Sequence, residues 1–165
     1  MSQPAPEGDV RESASPEETE ELGQALGGGL TTGDVVLLTG PLGAGKTCLV
    51  SGLAHGLGCT GRVRSPSFTL INEYGGATPL FHLDLYRIEG PEADGLGLDE
   101  RLEGGVLAVE WGEKLPAYLR ADSLTLAFEI RSQYRRTIRA TGSGARGSEL
   151  LARWRLLDRW KEPSR

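Results

Sequence analysis

G-P-L-G-A-G-K-T, residues 40 to 47, is a complete G-x-x-x-x-G-K-[ST] phosphate-binding loop. Its flanks suit that reading. The apolar run Val35, Val36, Leu37, Leu38, Thr39 precedes it, and a helix-like stretch from Lys46 to Leu57 follows. A strand delivers such a loop to a sheet edge, small residues let backbone N–H groups wrap phosphate oxygens, and the helix N-terminus adds partial positive charge. Leu42, Gly43, Ala44, Gly45, Lys46 and Thr47 are therefore the expected nucleotide-binding residues. The plainer reading is a glycine-rich turn that happens to hold a lysine. Composition disfavours it, since roughly 0.01 chance matches are expected in the chain. The loop predicts binding of a nucleoside triphosphate.

The totals narrow the class. A length of 165 residues suits one domain with a buried core. The net charge of −5 argues against a large nucleic-acid footprint, which needs clustered Lys and Arg. Arg135, Arg136 and Arg139 are the local groups that could touch an anionic partner. Cys48 and Cys59 are too few and too poorly spaced for a disulfide framework or a zinc site. Cys48, in the helix after the loop, reads as a small core residue. No apolar run approaches the ~20 residues that span a bilayer, and the N-terminus lacks a basic-then-apolar signal pattern. These features fit a reducing cytoplasm, where ATP is available.

Around the loop the chain mixes strands and helices. Residues 1–8 read as a mobile tail, with 1–14 as tail or short first strand. Ser15-Pro16-Glu17-Glu18 is a helix start with a capping Ser, Pro in the first turn and Glu18 completing a capping box. That helix is predicted to run to about Leu26, with Leu22, Ala25 and Leu26 inward. Residues 68–74 and 79–85 read as a hairpin across Gly75-Gly76-Ala77-Thr78. Asp94 to Leu102 is weakly helical, and Val106 to Val109 is a short buried strand. Ser123 to Ile130 alternates, and Tyr134 to Ala140 can pair with it. Gly142 to Gly147 reads as a glycine-serine link, and Glu149 to Trp160 as an amphipathic helix. The prediction is an α/β fold: a single P-loop NTPase-like domain over 15–141, with a central mixed sheet, flanking helices and antiparallel hairpin strands. Residues 142–165 add a linker and the C-terminal helix.

Hydrolysis needs a metal and a way to orient water. Thr47 is the expected Mg²⁺ ligand, and Lys46 supplies a point charge to the terminal phosphates. A second carboxylate normally ends a buried strand beside the loop. Glu110 ends Val106-Leu107-Ala108-Val109, and Asp84 ends Leu80-Phe81-His82-Leu83. Taken alone, either acid reads as a solvated carboxylate at a strand end; beside the loop, both join Lys46 as candidate catalytic residues. Trp111 reads as a core residue or as a stacking surface for a base. Ser65-Pro66-Ser67-Phe68-Thr69 reads as a plain loop or as a switch segment. His55 and His82 show no partner spacing and read as surface or packed imidazoles. Trp154 and Trp160 read as the packing face of the last helix. Guanine recognition of the N-K-x-D kind is absent, because Asn72, the only asparagine, precedes Glu73. No arginine is identifiable as a finger.

Five segments together resemble one family. They are the Leu22-Gly23 helix, G-P-L-G-A-G-K-T (40–47), S-P-S-F-T-L (65–70), H-L-D-L-Y-R (82–87) and V-E-W (109–111). Their order and spacing, over residues 15 to 140, are similar to those of the TsaE family, the bacterial ATPases of tRNA threonylcarbamoyladenosine biosynthesis. The phosphate loop is generic; H-x-D-x-Y-R followed by V-E-W is specific. The resemblance implies ATP and Mg²⁺ as cofactors, with Thr47 and Glu110 holding the metal. It further implies that Asp84 is needed for hydrolysis, that Trp111 lies by the nucleotide, and that 65–69 is a switch region. The implied partners are TsaB- and TsaD-type subunits of the threonylcarbamoyl transferase complex, reset by ATP hydrolysis, with tRNA met only indirectly. Cys48 stands where a hydroxyl residue is common in that family, and the C-terminal helix carries none of its motifs. The competing classes are a small-molecule or nucleotide kinase, and a nucleotide-gated binding module without useful hydrolysis.

Overall fold

The computed structural model describes residues 9–66, 69–88 and 90–161. The expected tail, residues 1–8, and Ser67 and Phe68 of the hydroxyl-rich segment lie outside the described residues. In chain order the elements are β1 (Val10–Ser13), α1 (Pro16–Gly27), β2 (Val35–Thr39), α2 (Lys46–Gly56), β3 (Ile71–Tyr74), β4 (Leu80–Asp84), α3 (Leu98–Gly104), β5 (Val106–Glu110), α4 (Ala117–Arg120), β6 (Ser123–Ile130), β7 (Arg136–Ser143) and α5 (Gly144–Lys161). The seven strands form one sheet in the order β1-β7-β6-β2-β5-β4-β3. Strands β6, β2, β5 and β4 run parallel, and β3 at one edge and β7 and β1 at the other add antiparallel pairs. The expected mixed sheet with hairpin extensions is the observed one.

Strand faces follow from side-chain alternation. Val36, Leu38, Leu80, Val106, Ala108, Leu124 and Leu126 share one core cluster with α1, α2 and α5. Val35, Leu37, Phe81, Leu83, Leu107 and Val109 fill a second cluster on the opposite face, with Leu98 of α3 and Leu119 of α4. Every residue of β2 and β5 except Thr39 is buried. A parallel strand covered on both faces is uniformly apolar, which is why these two runs lack alternation in the sequence.

Helix α1 starts as its residues predict. Ser15 Oγ accepts from the Glu18 N–H at 3.1 Å, and Pro16 occupies the first turn. Glu18 Oε1 reaches back to the Ala14 N–H at 3.0 Å, one residue before the cap. Glycines on α1 and α2 let the two backbones touch. A Cβ on Gly23 would lie 2.2 Å from Leu49 O, and one on Gly52 would lie 2.1 Å from Glu20 O. Because α2 carries Lys46 and Thr47, this contact also sets the position of the phosphate loop. Gly52→Ala is therefore expected to cost about 1–3 kcal/mol through overpacking. A thermal melt of the variant checks this; an unchanged midpoint would mean the helices can part freely.

At the C-terminus one expectation is corrected. Residues 142–147 are no linker: β7 runs to Ser143 and α5 begins at Gly144. The turn is held by Asp122 Oδ1, which accepts from the N–H groups of Arg146 and Gly147 at 2.8 and 3.2 Å. Arg146 then grips Asp34 bidentately, at 2.8 and 2.9 Å, just before β2. Leu150, Trp154 and Leu157 complete the first core cluster. The side chain of Trp160 lies outside those described. Among the described residues no helix is long and apolar enough to cross a membrane.

Candidate functional site

Strand β2 ends at Thr39, and the next six residues turn back to start α2 at Lys46. Two glycines make the turn possible. Gly40 has φ 130° and packs so closely that a Cβ would lie 2.7 Å from Phe128 O. Gly45, the N-cap of α2, has φ 103°, a conformation that side chains with a Cβ rarely adopt. The glycine spacing that marks the motif is thus a backbone requirement.

Lys46 is 4% exposed, and its Nζ donates to Gly40 O at 2.6 Å. The ammonium also lies 4.4 Å from the centroid of the Trp111 ring, a cation–π contact. Burial depresses the Lys46 pKa, and the nearby Glu110, Asp84 and Glu113 carboxylates oppose that depression. Trp111 follows β5 in the left-handed region, at φ 60°. Such backbone strain in a residue with a large side chain persists only where surroundings enforce it. Here the Trp111 N–H donates to Leu38 O, and its ring packs on Tyr86 with centroids 5.0 Å apart.

Parallel register brings the acids to the loop. Leu38 of β2 and Asp84 of β4 both sit opposite Glu110 of β5. The C-terminal ends of adjacent parallel strands thus form one rim, the usual ligand-binding edge of such sheets. Thr47 Oγ1 donates to Glu110 Oε2 at 2.8 Å. His82 Nε2 lies 2.6 Å from that same oxygen. Asp84 Oδ1 accepts from the Tyr86 N–H at 3.0 Å, which curls the chain after β4.

A cavity of 460 Å³ opens at this rim. Leu42, Gly43, Gly45, Lys46, Thr47, Asp84 and Glu110, all expected from sequence, line it. Two expected residues do not. Ala44 is fully buried, and Trp111 contacts Lys46 and Tyr86, which do line the cavity.

Other residues take their place only in the structure. Cys48 is no core residue: it is half-buried, donates to Pro16 O at 3.0 Å and lines the cavity. His55 is an exposed imidazole, as its sequence context suggests. His82 is packed, as expected, yet bonded to the central carboxylate. Tyr86 and Arg87, quoted only as parts of a motif, stand on the cavity wall with Ser65. Arg136 of β7 donates to Ala44 O at 3.1 Å and to Gly43 O at 3.3 Å, clasping the loop from outside. No local pattern signals that contact, since it joins residues more than ninety positions apart.

Comparison with known proteins agrees with this arrangement. The family described as threonylcarbamoyl adenosine biosynthesis protein TsaE matches residues 13–138. A Nostoc protein named tRNA threonylcarbamoyladenosine biosynthesis protein TsaE is 52% identical over 109 residues, covering 62% of this chain and 67% of the relative. Its Bacillus subtilis namesake is 41% identical over 136 residues, covering 81% of this chain and 85% of the relative. The crystal structure of Bacillus subtilis YdiB aligns with a TM-score of 0.77 at 36% identity, covering 90% of this chain and 95% of that one. The family match over residues 13–138, together with these relatives, shows that this chain belongs to the TsaE family of tRNA threonylcarbamoyladenosine biosynthesis.

Proposed function

We propose that the chain is an ATP hydrolase, dependent on Mg²⁺, that works with TsaB- and TsaD-type subunits and resets the transferase complex between tRNA modification cycles. The observation that supports it best is the meeting of the Thr47 hydroxyl and the Glu110 carboxylate, 2.8 Å apart at the mouth of the phosphate loop. Two hard oxygen donors beside a phosphate cradle suit Mg²⁺, which takes one or two protein oxygens and completes its shell with phosphates and water. Thr47 and Glu110 would hold the ion, which when bound neutralises charge on the β- and γ-phosphate oxygens.

The chain's own residues then have distinct tasks. Backbone N–H groups from Leu42 to Thr47 wrap the phosphates, and Lys46 exchanges the Gly40 carbonyl for a terminal phosphate oxygen. Asp84, in register with Glu110 and facing the same cavity, orients water or acts through a bridging water. Trp111 braces Lys46 and Tyr86 through its ring.

Turnover by the isolated chain is expected to be slow. Leu42 and Tyr86 at the cavity rim are 64% and 46% exposed, so water reaches the reacting centre. Electrostatic stabilisation is worth far more once water is excluded, and a partner covering these apolar groups would exclude it. A finger supplied in trans adds roughly 10³–10⁵ in rate. Phosphate release, measured with and without the two partner subunits, tests the reading. Acceleration by the partners is the expected result; rapid steady-state turnover by the chain alone would refute partner gating.

A further inference from the structure

We propose that His82 is the positioning residue for Glu110: its imidazole orients the carboxylate that holds Mg²⁺. The inference rests on the reading of Glu110 given above. His82 is completely buried, and Glu110 is 5% exposed. The 2.6 Å contact from Nε2 is to Oε2, the oxygen that also accepts from the Thr47 hydroxyl. Two donors on one carboxylate oxygen set the plane of the group and so decide where Oε1 points. A hard cation with near-octahedral demands needs that orientation held in advance.

Strand geometry explains how the ring arrives there. His82 and Asp84 are two residues apart on β4 and face the same side of the sheet. His82 pairs with Ala108 and Asp84 with Glu110. The small Ala108 side chain leaves room for the imidazole to lean along β5 toward Glu110. The H-x-D spacing therefore sends one side chain to the carboxylate and the other to the cavity.

Packing alone does not account for this ring. Its Nδ1 is buried with no hydrogen-bond partner among the described residues. A leucine would fill similar space without stranding a polar atom, which costs free energy when buried. Among the described residues the imidazole's hydrogen bond is the one to Glu110, and that bond is what histidine adds.

The test compares two polar replacements. The side-chain amide nitrogen of His82→Gln can reach the place of Nε2; that of His82→Asn cannot. Binding of a non-hydrolysable ATP analogue is titrated with and without Mg²⁺, alongside thermal melts. For His82→Asn the Mg²⁺-free affinity is expected to stay unchanged, while the gain on adding Mg²⁺ falls about 10–100-fold, the usual cost of removing such a support. His82→Gln is expected to retain most of the gain. A wild-type gain in His82→Asn, or an equal loss in both variants, would overturn the proposal. If His82→Asn melts below the assay temperature, His82→Leu replaces it with the same expectation. Wild-type binding that ignores Mg²⁺ would instead sink the metal reading, and the proposal with it.

Discussion

Lys46→Ala and Glu110→Gln are each expected to lower ATP hydrolysis by the assembled system about 10²–10³-fold, the loss typical when one preorganised charge-stabilising group is removed. Lys46 contributes a nearly buried cation that donates to a loop carbonyl. Its removal takes a desolvated charge out of the site and leaves the sheet and α2 untouched, so the melting midpoint is expected to hold. Glutamine is the cleaner replacement at Glu110. Alanine there would strand the Thr47 hydroxyl and the His82 Nε2 contact, at about 1–3 kcal/mol for a buried group left unpaired. Glutamine keeps an acceptor oxygen and the side-chain volume while deleting the charge that a metal requires. Phosphate release and a melt on each variant decide the matter. Undiminished hydrolysis in both variants would remove the assignment of this cavity as the catalytic one.

Trp154→Ala is expected to cost about 3–5 kcal/mol of stability, within the range for emptying a fully buried large aromatic site. The indole is 0% exposed and belongs to the core cluster under α1 and α2. Its Nε1 donates to Asp9 O at 3.2 Å, and the Trp154 carbonyl accepts from Arg11 at 2.9 Å. Arg155 adds an ion pair to Asp9 at 2.8 Å. These bonds tie α5 to the chain just before and within β1. The family match ends at residue 138, before α5 begins. The helix nonetheless completes the core of this chain. Among the described residues none of α5 lines the phosphate-loop cavity, so nucleotide affinity measured well below the melting midpoint is expected to survive the substitution. Urea denaturation gives the stability change; wild-type stability would make α5 an appendage.

The phosphate loop was legible in the sequence because its physics is local. Turn, strand end and helix start lie within a dozen residues, and Gly40 and Gly45 occupy conformations that demand glycine. Glu110 and Asp84 were legible for a related reason: each terminates an apolar run short enough to read as a buried strand. The Ser15 cap and the β3–β4 and β6–β7 pairings were likewise written in neighbouring residues.

What escaped were contacts between distant parts of the chain. Gly142 to Gly147 looked like a link because composition does not reveal that Asp122 and Asp34 hold the start of α5. Cys48 looked like core because its helix is amphipathic only weakly, and only the packed loop decides which side faces the cavity. His82 looked inert since its partner, Glu110, is 28 positions away. The order of parallel strands β4, β5 and β2, with their register, brings them together. Residues close along the chain determined the loop and its acids by themselves. Side chains from separate strands meet only after the sheet has formed, so the tertiary structure alone decided how the acids are held.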